Sequence, residues 1–216
     1  MKKIAIILSG CGVMDGAEIH ESVLTMLAIS QQNCSYDIYA PSINQAHVIN
    51  HLKGEICNKQ SRNVLEESAR IARGDIKALS SLCINDYDIL ALPGGFGVAK
   101  NLSNFAFEGA DCEVNKEVET AIKNMHLNNK PIIALCIAPI IVAASLGKGD
   151  LTIGNDKGTA NAINSLGARH VESKIGEIVI DKENKLISTA CYMLEPTLSE
   201  LAYSISKAVD AAIKLC

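Results

Sequence analysis

Apolar positions along the chain fall into short unbroken runs, separated by longer stretches in which they recur every three or four residues. That alternation predicts strands followed by helices, and so an α/β sandwich with ligands at the carboxyl ends of parallel strands. Lys3 to Ser9 predicts the first strand, because Ile4, Ile6, Ile7 and Leu8 leave neither face polar, as a buried parallel strand requires. Tyr36–Ala40, Asp86–Pro93, the first half of Lys130–Pro139 and Leu186–Ala190 predict further strands. His170-Val171 and Glu177–Ile180 predict short ones, and Ala46–Asn50 with Glu55–Cys57 a small hairpin. A helix is expected after Gly16, with Ile19, Val23, Met26, Leu27 and Ser30 as its packing face. Others are expected at Asn63–Arg73, Ile76–Leu82, Glu113–Leu127, from Pro139 through Leu146, and at Asp156–Leu166. Pro196 opens a last helix, with Leu198, Leu201, Ile205, Val209 and Ile213 in one stripe. Val98–Asp111 has no clean period and predicts a long loop or lid, carrying Lys100, Asn101, Asn104 and two of the three phenylalanines. There is no internal repeat or low-complexity linker.

Composition narrows this picture. The 216 residues are 48% hydrophobic and 20% charged, enough for one substantial core and too apolar for disorder. The net charge of -4 and the lack of a basic run argue against nucleic acid. No apolar run approaches membrane-spanning length, and Ile4–Leu8 is too short for a signal-peptide core. Eight scattered cysteines form no C-x-x-C pair and no metal-site spacing with histidine, which points to reduced thiols, no metal and a cytoplasmic location.

One of those cysteines stands apart. Cys136 ends an apolar strand and precedes Pro139, which a first helical turn tolerates. It therefore lies on a strand-to-helix turn, where free N–H groups and the helix dipole favour a thiolate, the physics of a nucleophile elbow. A buried cysteine acting as a small hydrophobe is the alternative. Two other strand ends share the sheet edge. Gly94-Gly95 lets the backbone approach a ligand or simply makes a tight turn. Ser9–Gly16 is glycine-rich but is not G-x-G-x-x-G, and Asp15, Glu18 and Glu21 would repel a phosphate, so a dinucleotide is not expected. Backbone N–H groups around Gly94, Gly95 and Ile137 are candidates for an oxyanion site. Either Glu21 or Glu18 could reach the sulfur as a proton-relaying acid. Cys11 and Gly12 sit on the glycine loop as pocket candidates, with His20, Lys100 and Asn101.

Taken together, Gly16-Ala17-Glu18-x-x-Glu21, Pro93-Gly94-Gly95-Phe96-Gly97 and Ala134-Leu135-Cys136-Ile137-Ala138-Pro139 resemble the PfpI branch of the class I glutamine-amidotransferase-like superfamily. More narrowly the chain is similar to the ElbB-type proteins, named for a link to isoprenoid biosynthesis. The start Leu8–Val13, the lid Lys100–Ala106 and Ser188–Leu194 all fit that group, and the likeness spans essentially the whole chain. The resemblance implies one domain, residues 1–216, folded as a three-layer α/β/α sandwich with a mostly parallel flavodoxin-like sheet. It further implies a cofactor-free site with Cys136 as nucleophile and Glu21 as its acidic partner, and a homodimer.

The chain departs from the superfamily where a second base is usual. Ile137, not histidine, follows Cys136, and Lys148–Lys157 holds none. His170-Val171-Glu172 matches an amidotransferase spelling but comes too early and enters a strand, so an ordinary surface histidine is expected there. His20, beside Glu21, is the better candidate base, unless it points off the helix face. The leading expectation is a glyoxalase-like enzyme converting glyoxal or a related α-oxoaldehyde to a hydroxy acid. The alternative is a redox-sensing or partner-binding protein with a reactive thiol; a glutaminase subunit comes third.

Overall fold

The computed structural model describes all residues, Met1–Cys216. The chain begins with β1 (Lys3–Ile7), α1 (Ile19–Gln31) and β2 (Ser35–Ala40), then the hairpin β3 (Ile49–Asn50) and β4 (Glu55–Ile56), as expected. There follow α2 (Val64–Ile71), β5 (Lys77–Ala78), β6 (Ile89–Leu92), α3 (Phe96–Lys100), α4 (Phe105–Glu108) and α5 (Lys116–Leu127). Next come β7 (Ile132–Leu135), α6 (Pro139–Leu146), β8 (Asp150–Leu151), α7 (Lys157–Ser165) and β9 (Arg169–His170). β10 (Val179–Asp181), β11 (Leu186–Thr189) and α8 (Leu198–Leu215) complete it. No helix is long and apolar enough to cross a membrane.

Seven strands form one sheet in the order β10-β11-β7-β6-β1-β2-β5, parallel throughout except for antiparallel β10 at one edge. The four central strands β11, β7, β6 and β1 are almost wholly buried, which is why they read as continuous apolar runs. Two apolar layers sandwich the sheet. One holds Ile4, Ile6, Ala91 and Ile133 with Ala28 and Ile29 of α1 and Leu201, Ile205 and Val209 of α8. The other holds Ile7, Leu90, Leu92 and Ala134 with Val118, Ile122 and Met125 of α5 and Ile141 of α6. From β1 the chain winds outward through β2 to β5, then crosses back to β6 and on to β7. The direction reverses between β1 and β6, and a crevice opens at their carboxyl ends, the place where open α/β sheets take ligands.

Three local expectations are corrected. Val98–Asp111 is not a loop: it contains the end of α3, all of α4 and a 3-10 turn at Gly109–Asp111, pieces of three to five residues that are too short to show a period. Ile76–Leu82 is not a helix but the edge strand β5 running into a 3-10 turn at Leu79–Ser81. The α1 face is largely reversed, and of the expected packing residues only Met26 lies partly buried against the core. Ile19, Val23, Leu27 and Ser30 are exposed, while Glu21, Ser22, Thr25, Ala28 and Ile29 are buried. The Ser22 hydroxyl donates to the Glu18 carbonyl and the Thr25 hydroxyl to the Glu21 carbonyl, so these polar side chains enter the interior already satisfied.

Candidate active site

Cys136 follows β7 directly and its amide N–H still donates to the Thr189 carbonyl of β11, at 3.0 Å. Its backbone then turns left-handed, φ 57°, a conformation that side chains other than glycine adopt at a cost. The turn lifts the residue off the sheet before Pro139 starts α6. Cys136 is nonetheless only 7% exposed. The amide N–H groups of Gly95 and Ile137 face its sulfur and favour its ionised form, and the Glu21 carboxyl lies against it. Both predicted amides thus converge on the sulfur. Gly94 does not join them, since its N–H donates to Glu21 Oε2 at 2.9 Å.

The carboxyl of Glu21 is completely buried. The Tyr192 N–H donates to its other oxygen at 3.3 Å, so one carboxyl bridges the loops after β6 and β11 with the thiol between them. Burial, reinforced by the nearby Glu18 charge, pushes the Glu21 carboxyl up to about 8, against the pull of the two amides and the thiol. Burial also pushes the Cys136 thiol up, opposed by the Gly95 and Ile137 amides. This corrects the expectation of a thiolate drawn from the helix terminus alone: desolvation wins over two hydrogen bonds. The first proton to leave near pH 8 belongs to the pair.

Glycines explain how the groups come so close. A Cβ on Gly94 would lie 2.3 Å from Cys136 Cβ and 2.6 Å from Glu21 Oε2. Gly95, at φ 101°, packs backbone to backbone on the loop after β1, where a Cβ would sit 2.4 Å from the Glu18 nitrogen and the Gly16 oxygen. The two glycine loops therefore clasp each other, through Glu18 N–H to the Gly94 carbonyl and Gly97 N–H to the Gly16 carbonyl, each 2.9 Å.

The remaining candidates are placed elsewhere. Glu18 caps α1, its Oε2 accepting from the Glu21 N–H at 2.6 Å. Lys100 donates to the Met14 carbonyl and lies over the Phe96 ring. Asn101 donates to the carbonyls of Ser9 and Asp15. Both brace the first glycine loop. Gly12 closes that loop on Ala17, and Cys11 is half-buried among Glu67, Arg70 and Asp15, away from Cys136. His20 is exposed and meets Tyr192 at 2.9 Å, from Nδ1 to the hydroxyl. His170 sits on β9, where the Ile153 N–H donates to its Nε2. No three His, Cys, Asp or Glu side chains converge to hold a metal.

Beside the thiol is a cleft of about 230 Å³, walled by Val13, Phe96, Ala99, Phe105, Ala106, Ile137, Tyr192 and Met193, with Thr159 at one side. It is smaller than the ~300–1,000 Å³ of pockets for drug-sized ligands. Sequence reasoning passed over Tyr192, Met193 and Thr159 as pocket residues; of the two lid phenylalanines only Phe105 lines the cleft, while Phe107 is exposed against His47. It also passed over Cys191, a second buried thiol in left-handed backbone (φ 46°), whose ionisation is further opposed by the nearby Glu21 and Cys136.

Comparison with known proteins places this geometry. No family model matches the chain. It is 43% identical to the ES1 protein homolog, mitochondrial, of Rattus norvegicus over 222 residues, spanning 99% of this chain and 84% of that protein. The chain belongs to the ES1 family. A human member, glutamine amidotransferase-like class 1 domain-containing protein 3, mitochondrial, is also 43% identical, over 99% of this chain and 83% of the relative. A crystal structure described as an isoprenoid biosynthesis protein with an amidotransferase-like domain, from Ehrlichia chaffeensis, superposes on this ES1-family chain with TM-score 0.94 at 36% identity, covering 100% and 99%. A ThiJ/PfpI domain protein from Brachyspira murdochii, at 10% identity and TM-score 0.58 over 98% and 95%, shares the fold alone. The glutamine amidotransferase-like α/β fold is therefore shown. The cytoplasmic expectation is corrected, because both mammalian ES1 relatives are named mitochondrial. Unpaired cysteines report a reducing environment and carry no address.

Proposed function

We propose that this ES1-family protein is a cofactor-independent, glyoxalase-like enzyme of the ElbB type, with Cys136 as nucleophile and Glu21 as proton relay. The observation that carries the reading is a completely buried carboxyl, pushed by burial up to about 8, held against a thiol that also faces two amide donors. Loss of one proton from the pair lets Glu21 take the thiol proton as sulfur adds to the aldehyde carbon of the substrate. Hydrogen bonds from Gly95 and Ile137, which face the sulfur at rest, are placed to support the oxygen anion that develops beside it; such a donor is typically worth about 2.7–4 kcal/mol. Glu21 then moves a proton from the former aldehyde carbon to the adjacent carbon while the hydroxyl proton passes to the neighbouring carbonyl oxygen, which converts the hemithioacetal through an enediol to a thioester. Water releases the hydroxy acid and restores the thiol. Assay of glyoxal loss and glycolate gain tests the reading. The lack of any charged side chain on the cleft wall weighs against a glutaminase, which must grip an ammonium and a carboxylate.

A redox role is the second reading, and Cys191 is what favours it. Hydrogen peroxide would oxidise Cys136 to a sulfenic acid, one oxygen passing to sulfur and the other leaving as water. The Cys191 thiol would then displace water and form a disulfide. Under this reading intact-mass analysis after peroxide shows a loss of two hydrogens in wild type and retained oxygen in Cys191→Ser. If Cys136 alone gains oxygen in both, Cys191 has no resolving role.

A homodimer is likewise our proposal. Its support is the exposed apolar stripe Ile19, Val23 and Leu27 on α1, which borders a surface groove with Tyr36 and Ile71. Val23→Glu is expected to convert a sedimenting dimer to monomer; a wild-type monomer at assay concentration would contradict it.

A further inference from the structure

The wall of the Cys136 cleft has no free charge to offer a substrate. Its polar members are already engaged: the Thr159 hydroxyl donates to Asp156 and the Tyr192 hydroxyl meets His20. Lys100, which lies over the Phe96 ring, is turned to the Met14 carbonyl, and burial lowers its basicity. A carboxylate- or phosphate-bearing substrate would lose its hydration here with no partner in return. What the cleft does offer is Phe105, Met193, Ile137 and Ala99, with Phe96 and Val13 left partly exposed at its lip. Glyoxal has no group to cover that surface.

We propose that the cleft selects carbonyl electrophiles carrying a flat apolar substituent, of the arylglyoxal class, over glyoxal and methylglyoxal. The inference rests on the reading of Cys136 as a carbonyl-directed nucleophile. The carbonyl pair lies over the sulfur and the Gly95 and Ile137 amides, and the substituent fills the space against Phe105 and Met193. Thioether sulfur and aromatic edges suit a flat ring. One methylene in an apolar pocket discriminates about 10–200-fold, so a phenyl group should be worth at least about tenfold over methyl.

Two measurements on the wild-type protein separate selectivity from turnover. The first compares alkylation of Cys136 by phenacyl bromide and by bromoacetone, read by peptide mass and normalised to the same ratio for glutathione. The expected normalised ratio is about ten or more; a ratio near one overturns the proposal. The second compares initial kcat/KM for phenylglyoxal, methylglyoxal and glyoxal, with phenylglyoxal expected at least about tenfold above the other two. Equal or reversed values among active substrates overturn the proposal and leave the glyoxalase reading standing. A high alkylation ratio with no turnover of any of the three leaves the selectivity standing and removes the glyoxalase reading. Phe105→Ser should pull the alkylation ratio back toward that of glutathione.

Discussion

Cys136→Ala is expected to lower α-oxoaldehyde turnover by about 10³–10⁶-fold, the range seen when a covalent nucleophile is deleted. That corresponds to roughly 4–8 kcal/mol of barrier. The loss should fall on kcat with little change of fold, because the thiol is replaced by a smaller group inside an intact turn. Circular dichroism and the melting temperature check the second part. Cys136→Ser should be nearly as poor, since a buried hydroxyl with the same neighbours is far harder to ionise than a thiol. Turnover within tenfold of wild type in either variant would place the chemistry at another residue.

Glu21→Gln is the second large effect, and its form is specific. Glutamine matches the shape and can keep the Gly94 N–H bond to its oxygen, at the cost of setting its amide N–H against the Tyr192 N–H. What it cannot do is take or deliver a proton. Turnover should fall about 10²–10⁴-fold. In the wild type, activity should rise with pH toward about 8, as the Cys136–Glu21 pair loses its first proton. In the variant that limb should vanish. At high pH, where the thiol ionises unaided, iodoacetamide should again label Cys136 quickly while turnover stays low. Parallel recovery of both would mean that Glu21 serves only to ionise the thiol.

Stability should carry the same signature. The Glu21 carboxyl is raised from 4.5 to about 8, so the folded state holds a proton that the unfolded chain has released across that window. Wild-type stability therefore falls as pH rises between those values, by up to about 1.4 kcal/mol per pH unit from this group. Below 4.5 both states are protonated, so the slope vanishes and the group's stabilising contribution is fully present. The melting temperature of Glu21→Gln should gain on wild type from pH 5 to pH 8.

The legible parts of the molecule were those where one physical rule dominates. Buried parallel strands must be apolar on both faces, so β1, β6, β7 and β11 could be read directly. The Cys136 turn was legible because a strand, a proline and a helix leave one geometry between them. Helix α1 was expected in its place, but its buried face was not legible. Its true inner face is Glu21, Ser22 and Thr25, whose polarity is cancelled by hydrogen bonds that a hydrophobicity pattern does not contain. Its apolar outer stripe has the period of a core face. The choice between Glu18 and Glu21 turned on three residues of helix, almost one turn, and only the cap at Glu18 separated them. Lys100 and Asn101 looked like ligand-facing groups but serve loop carbonyls. Tyr192, Met193 and Cys191 reach the site from more than fifty residues after Cys136, brought there by the pairing of β11 with β7.

The most direct test of the account is to trap the covalent intermediate. Wild-type protein mixed with glyoxal would be quenched with hydroxylamine, which captures thioesters as hydroxamates. The account predicts glycolyl hydroxamate in wild type and none in Cys136→Ala. Glycolate formed by wild type with no hydroxamate, or equally by the alanine variant, would contradict it.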